Sequence, residues 1–303
     1  MRGGDLTSIL DLTPTDVERL LEVALGMKRD GPGRPLEGQT LALVFEKPSL
    51  RTRVSFEQAM RRLGGSALYL AGPEVQMGER EPARDVARAL ARMVQAIAAR
   101  THSHSTVREL AAYADVPVIN ALTDEEHPCQ ALADLLTLRE RFGTLRGVRL
   151  AYVGEGNNIS RSLAYACVLA GMEFVCASPD GYELSDEVLE RCRHLSGGGS
   201  VEQTNDPQAA VRGAAAVYTD VWASMGFEDE LPQRLEVFRS YQLNAELLHE
   251  APADALVMHD LPAHRGEEIT DDAIESGRSV VFDQVENRMH AQQAVLALLL
   301  ADG

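Results

Sequence analysis

The chain has 303 residues, 45% hydrophobic and 25% charged, a balance that suits a soluble globular protein with room for two domains. Its formal net charge of -17 argues against a general nucleic-acid binder, and no apolar run reaches the ~18 residues of a membrane span. Its four cysteines (Cys129, Cys167, Cys176, Cys192) have neither metal-finger spacing nor the density of a disulfide scaffold, so a reducing cytoplasm is the expected compartment.

Residues Met1 to Asp5 lead into no apolar core or small-residue cleavage site, so no signal peptide is expected. Thr13 and Pro14 read as the cap and first turn of a helix over about Thr15 to Lys28. A strand at Thr40–Phe45 follows, then a helix from about Leu50 to Leu63, ended by Gly64-Gly65. Further strands fit Ala67–Leu70, Gln95–Ala99 and Pro117–Asn120, separated by helices at about Pro82–Arg92 and Thr106–Tyr113. A helix from about Cys129 to Phe142 leads to Gly143.

The alternation then restarts, with strands at Arg149–Val153, Glu173–Ala177, Ala215–Thr219, Leu256–His259 and Val280–Asp283. Gly197-Gly198-Gly199 reads as a surface loop. The last helix, about Arg288 to Leu300, is so apolar that burial against the first domain is expected. The pattern predicts an α/β protein with two doubly wound, Rossmann-like parallel-sheet domains. The first covers residues 1–143 plus the terminal helix at 288–303, and the second covers residues 144–287.

Ligands of open α/β sheets bind beyond the carboxyl ends of the strands, so the residues just past each strand are the candidates. Those segments are Glu46 to Arg53, Arg100 to His104, His127-Pro128-Cys129-Gln130, Gly154 to Asn158, Asp220 to Gly226, and Asp260-Leu261-Pro262. Pro48 to Arg53 puts a helix N-terminus beside two arginines, which suits a phosphate, although a solvated basic turn capped by Ser49 would read the same. His127 and Gln130 suit a carbonyl or amide, or a plain helix cap. Cys129 reads as core, because no histidine and acid are spaced to form a triad with it.

Gly154-Glu155-Gly156-Asn157-Asn158 resembles the opening of a dinucleotide fingerprint but lacks its third glycine and the ribose-binding acid. Asn157 and Asn158 instead offer amides to a polar ligand, and Asp220 offers a carboxylate to an ammonium group or serves a simple loop. His102, His104, His259 and His264 lack metal-ligand spacing, so no metal is expected.

Taken together these segments resemble the ornithine carbamoyltransferases. Phe45 to Arg53, Arg100-Thr101, His127 to Gln130, Asp220 with Ser224-Met225-Gly226, His259 to Pro262 and Glu286-Asn287-Arg288 occur in that family's order, over about Leu6 to Leu300. Aspartate carbamoyltransferases share the phosphate motif but not the Asp-x-x-x-Ser-Met-Gly pattern.

The resemblance implies that Ser49, Leu50, Arg51, Thr52 and Gln76 bind the phosphate of carbamoyl phosphate, Gln76 across a subunit boundary. It implies that Arg100, His127 and Gln130 hold and polarise the carbamoyl group, and that Leu261, by its backbone, and Arg288 complete that site. Asn158, Asp220, Ser224 and Met225 would bind the amino-acid acceptor. Arg51, Arg100, His127 and Asp260 are the catalytic candidates. The resemblance further implies a homotrimer whose two domains close on the ligands, acting in amino-acid metabolism without metal or organic cofactor.

Two positions depart from the family pattern. Leu50 stands where threonine is common, which removes one hydroxyl, and Asp260 stands where cysteine is usual. A carboxylate beside a phosphate is costly, so Asp260 is expected to pair with the acceptor's side-chain ammonium or a nearby Arg or His, or to stay protonated. Another amine acceptor (lysine, a shorter diamino acid, putrescine) or a non-catalytic binding protein are the alternative functions.

Overall fold

A computed structural model describes residues 4–223 and 230–301. The chain divides into two compact units, Met1–Leu136 with Glu286–Gly303, and Thr137–Val285.

In the first unit, α1 (Pro14–Asp30) is followed by β1 (Thr40–Phe45), α2 (Leu50–Arg62), β2 (Ser66–Ala71), α3 (Gly72–Val75), α4 (Ala83–Leu90), β3 (Ala96–Arg100), α5 (His104–Tyr113) and β4 (Val118–Leu122), and α6 (Pro128–Phe142) carries the chain into the second. Thr13 caps α1 as expected: its hydroxyl accepts the Asp16 N–H, and Asp16 reaches back to the Thr13 N–H. Such a cap stabilises a helix by about 1 kcal/mol. The four strands are parallel in the order β2-β1-β3-β4. Central β1 is buried from Leu41 to Phe45, whereas edge strand β2 is only partly covered. Gly65 is required where the chain turns into β2, because a Cβ there would lie 2.6 Å from the Met60 side chain and 2.8 Å from the Gln39 carbonyl.

The second unit contains β5 (Arg149–Val153), α7 (Asn158–Leu169), β6 (Glu173–Ala177), α8 (Asp186–His194), β7 (Ser200–Thr204), α9 (Pro207–Val211), β8 (Ala216–Thr219), α10 (Leu231–Val237), α11 (Ala245–Glu250), β9 (Leu256–His259) and α12 (Asp271–Ile274). Its sheet is also parallel, in the order β7-β6-β5-β8-β9. Apolar side chains from β5, β6, β8 and β9 pack with Trp222, Phe238 and Tyr241 in one core.

Helix α13 (Val281–Leu300) returns the chain to the first unit. Its residues Ala291, Ala294, Val295, Leu296 and Leu299 are buried, as the apolar terminal helix requires. Within that unit Lys28 Nζ donates to Asn287 Oδ1 at 2.8 Å and Gln39 Nε2 to the Leu300 carbonyl at 3.5 Å. Among the described residues no helix is long and apolar enough to cross a membrane.

One expected feature needs correction, and one strand has no counterpart among those expected. The strand expected at Val280–Asp283 is the start of α13. Ser279 makes a bridge to Val257 and the Val280 N–H reaches the Val257 carbonyl, but Gln284 N–H then bonds the Val280 carbonyl and the chain coils. A run as short as Val280-Val281-Phe282 fits a strand and a buried helical turn equally well by periodicity. Strand β7 has no clear signal in the sequence, because Ser200-Val201-Glu202-Gln203-Thr204 offers one apolar residue on an exposed sheet edge.

Candidate functional site in two parts

In the first sheet β2 lies to one side of β1 and β3 to the other, so the chain reverses direction across the sheet between β1 and β3. Crevices form at such switch points. The segments that end there are Glu46 to Arg53 and Arg100-Thr101. Glu46 knits them: its N–H bonds the Arg100 carbonyl at 2.9 Å and its carboxylate accepts the His102 N–H at 2.7 Å.

Ser49 caps α2, its hydroxyl oxygen 3.4 Å from the Thr52 N. Thr52 is fully buried, and its hydroxyl oxygen is a meeting point. Arg288 Nη2 donates to it at 2.7 Å, Ser49 Oγ at 3.0 Å and Arg100 Nη1 at 3.5 Å. Arg100 and Arg288 are buried, so their positive charges are held in a medium where they act strongly. Leu50, by contrast, is 75% exposed, so the side chain that replaces the usual threonine points away from this buried cluster.

His127 precedes α6, with Pro128 at the first helical position. Burial, then the charges of Arg288, Arg100 and Arg51, push its pKa well below the ordinary 6.5, so the ring is neutral at physiological pH. Gln130 is buried one turn on; its Nε2 donates to Asp134 Oδ1 at 2.8 Å, and its Oε1 accepts no hydrogen bond from the described residues. Gln76 is not joined to this cluster. It sits exposed in the left-handed conformation (φ 48°) at the end of α3.

Cys129 is core, as its spacing suggested. Burial pushes its thiol up to about 12, and Sγ faces the Asn120 carbonyl at 3.6 Å. His104 is buried against the Thr123 hydroxyl at 3.0 Å, a packing role.

The second sheet repeats the logic with opposite charge. Its order reverses between β5 and β8, which brings Gly154 to Asn158 beside Asp220. Asn157 Nδ2 donates to Asp220 Oδ2 at 2.7 Å, while Asn157 Oδ1 caps α7 by accepting the Ile159 and Ser160 N–H groups. Asn157 therefore holds Asp220 in place, a role that its position in the sequence does not reveal. Asn158 begins α7. The glycine pair also acquires a reason unrelated to nucleotides: a Cβ on Gly156 would lie 2.3 Å from the backbone at Glu183 and Leu184.

From the end of β9, His259 and Asp260 join Asp220, with ligand-capable atoms of all three within 4.8 Å of one another. His259 Nδ1 is 3.4 Å from Asp260 Oδ1. This grouping is invisible in the sequence, because its members lie on two strands some forty residues apart. Burial and then the neighbouring Asp260 raise Asp220 well above the usual carboxyl range. Burial would raise Asp260 too, but the His259 ring outweighs it and holds that carboxyl low. Of the groups expected beside Asp260, a histidine is the one that stands next to it inside this unit.

Leu261 lies at φ 58° and precedes a cis Pro262. A left-handed leucine costs about 1–2 kcal/mol, which its surroundings must offset. Ser224 and Met225 lie outside the described residues.

Residues 4–140 match the carbamoyl-P binding domain of aspartate/ornithine carbamoyltransferase, and residues 146–299 match its Asp/Orn binding domain. The chain belongs to the aspartate/ornithine carbamoyltransferase family, and it is an enzyme that transfers a carbamoyl group.

Within that family it is 50% identical to the ornithine carbamoyltransferase of Pyrococcus abyssi over 306 residues, covering 99% of this chain and 96% of the relative. It is also 50% identical to the anabolic ornithine carbamoyltransferase of Pyrococcus furiosus, covering 99% and 97%. The solved ornithine carbamoyltransferase from P. furiosus superposes with a TM-score of 0.95, covering 99% of this chain and 97% of that one. The anabolic enzyme from Campylobacter jejuni, 32% identical, superposes with a TM-score of 0.93 over 98% of each chain.

Proposed function

We propose that the two clusters divide the labour of one reaction, in which the carbamoyl group of carbamoyl phosphate passes to the side-chain amine of L-ornithine, giving citrulline and phosphate. The observation that carries this reading is the convergence of Arg288, Arg100 and Ser49 on the buried Thr52 hydroxyl at a sheet switch point.

The phosphate takes the N-terminus of α2 (Ser49, Leu50, Arg51, Thr52) with Arg288, and Gln76 comes from a neighbouring subunit. Arg100, the neutral His127 and Gln130 grip the carbamoyl group, with Gln130 Oε1 placed to accept from its amide. The Leu261 carbonyl completes this set. Asn158, Asp220, Ser224 and Met225 bind the acceptor, whose ammonium group suits the Asp220–Asp260 carboxyl pair.

The amine attacks as the free base. Its nitrogen bonds the carbamoyl carbon, the oxygen carries the tetrahedral negative charge, the bond to phosphate oxygen then breaks, and the surplus proton of the nitrogen leaves with the phosphate. Arginines and a neutral histidine aimed at that oxygen and at the leaving phosphate lower the barrier most, and alignment of the amine supplies much of the rest. The residues present call for no metal or organic cofactor.

The direction is biosynthetic, toward arginine, a reading supported by the anabolic names of two relatives. The compartment is the cytoplasm, in keeping with four buried cysteines that form no disulfide among the described residues. The assembly is a homotrimer; Leu50, Val54 and Leu68 are large apolar side chains exposed by 46–75% on α2 and β2, a surface that a partner would cover. Light scattering at three times the chain mass supports that assembly, and a monomer contradicts it.

Phosphate release from carbamoyl phosphate, measured with ornithine, lysine, 2,4-diaminobutyrate, putrescine and aspartate in parallel, tests the function. Release with ornithine above the others supports it. Preference for another amine makes Asp260 the determinant of acceptor choice, and silence with all five contradicts catalysis.

A further inference from the structure

The loop that carries Asp260 and Leu261 is fastened at both ends by a single buried oxygen. Glu268 is wholly buried. Its Oε1 lies 2.9 Å from His259 Nε2 and accepts the His264 backbone N–H at 2.6 Å. Glu268 is itself anchored, since its carbonyl accepts the Leu243 N–H at 2.8 Å. On the far side of the imidazole, Nδ1 accepts the Leu261 N–H at 2.9 Å. The His259 N–H donates to Gln284 Oε1 at 3.0 Å, so the ring is held from its own backbone as well.

Two influences oppose each other at this ring. Burial favours the neutral form, but the hydrogen bonds and charges of Asp260, Glu268 and Asp220 outweigh it and lift the ring to about 10. The Leu261 N–H, however, needs a lone pair on Nδ1. A proton on Nδ1 would set two donors against each other at 2.9 Å, so the hydrogen-bond geometry decides for a neutral ring protonated on Nε2. The proton that these carboxylates attract resides on Asp220, whose carboxyl is raised by burial and by Asp260. A carboxylate that receives the other ring N–H is the usual device for fixing an imidazole tautomer.

We propose that Glu268 is a positioning residue for carbamoyl transfer: it holds His259 as the Nε2–H tautomer and clamps the His264 N–H, and so fixes the Asp260–Leu261 segment in its working conformation. The proposal rests on the reading that Asp260 and Leu261 meet the substrates. Glu268 touches neither substrate in that scheme and acts only through the loop.

The test compares Glu268→Gln, Glu268→Asp, Glu268→Leu and Asp260→Ala in the full-length protein. Glutamine keeps an oxygen for both donors, and kcat should stay within about threefold. Aspartate is too short to reach both and should lower kcat about 10-fold, and leucine about 100-fold, the scale of an ångström-sized misplacement. Carbamoyl phosphate affinity should fall by no more than about fivefold in all three, because only the Leu261 carbonyl contact moves while the phosphate contacts lie in the other unit. If the leucine variant does not fold, the aspartate and glutamine variants carry the comparison.

Nitrogen-15 NMR of labelled histidine should show His259 protonated on Nε2 and bare on Nδ1, with that preference lost in Glu268→Asp. A doubly protonated ring in the unmodified protein overturns the proposal. So does a folded Glu268→Asp with unchanged kcat when Asp260→Ala is impaired. An Asp260→Ala variant with unchanged kinetics overturns instead the reading of Asp260 on which the proposal stands.

Discussion

The two units solve the same topological problem with opposite charge. Each is a parallel sheet whose strand order reverses once, and each gathers its polar side chains at that reversal. In the first unit the gathering is cationic, with Arg100 and Arg288 on Thr52 and a histidine kept neutral beside them. In the second it is acidic, with Asp220 and Asp260 close enough to share protonation and a neutral histidine between them and the buried Glu268. A net charge of -17 therefore says little about either cluster, since Arg100 and Arg288 are buried. The contrast shows that the fold supplies the place and that the residues at the strand ends supply the sign.

The sharpest way to break the contrast is to remove a buried cation. Arg100→Ala should lower kcat/KM about 1000-fold, because in the proposed scheme it deletes a charged donor from the place where the oxyanion forms. A loss below tenfold in steady-state assays would remove Arg100 from the chemistry. In the second unit, Asp220→Asn should raise the KM for ornithine about 100-fold by deleting the ammonium partner, with the KM for carbamoyl phosphate moving little. Equal changes in both constants would mean that the acidic cluster shapes the protein and not the acceptor site.

Acid should act on the cationic side. His127 is held below 6.5 in the folded protein, so the unfolded chain binds a proton that the folded chain refuses. Stability is unaffected above that pH and falls as the pH drops below it, by on the order of 1–2 kcal/mol near pH 5. His127→Asn, uncharged in both states, should flatten the dependence of Tm on pH over that interval, and an unaltered slope would place the acid loss elsewhere.

The smallest effect belongs to Leu50→Thr. The Leu50 side chain points away from the buried cluster, so the restored hydroxyl should change phosphate-limited rates by no more than about twofold. A larger gain would show that Leu50 impairs the site.

Much of this is legible in the sequence because it depends on local order. The cap at Thr13 and the helix start at Ser49, just before Arg51, are local signals that the fold preserves. The segment just past each strand can be read as a candidate ligand because parallel sheets put those loops on one edge. The hidden features are pairings across distance. Thr52 is met by Arg288 from 236 residues away, and Asn157 reaches Asp220 across 63. In the sequence Glu268 looks like one of two adjacent surface acids, and only its burial under His259 distinguishes it from Glu267. The misassigned strand at Val280 fails for another reason, because a three-residue apolar run carries no period.

The division between a cationic phosphate site and an acidic acceptor site is tested most directly by calorimetric titration of carbamoyl phosphate into three proteins: unmodified, Arg288→Ala and Asp220→Asn. The account predicts that Arg288→Ala weakens binding about 100-fold or more and that Asp220→Asn leaves it within about twofold. Comparable losses in both variants, or tight binding by Arg288→Ala, would contradict it.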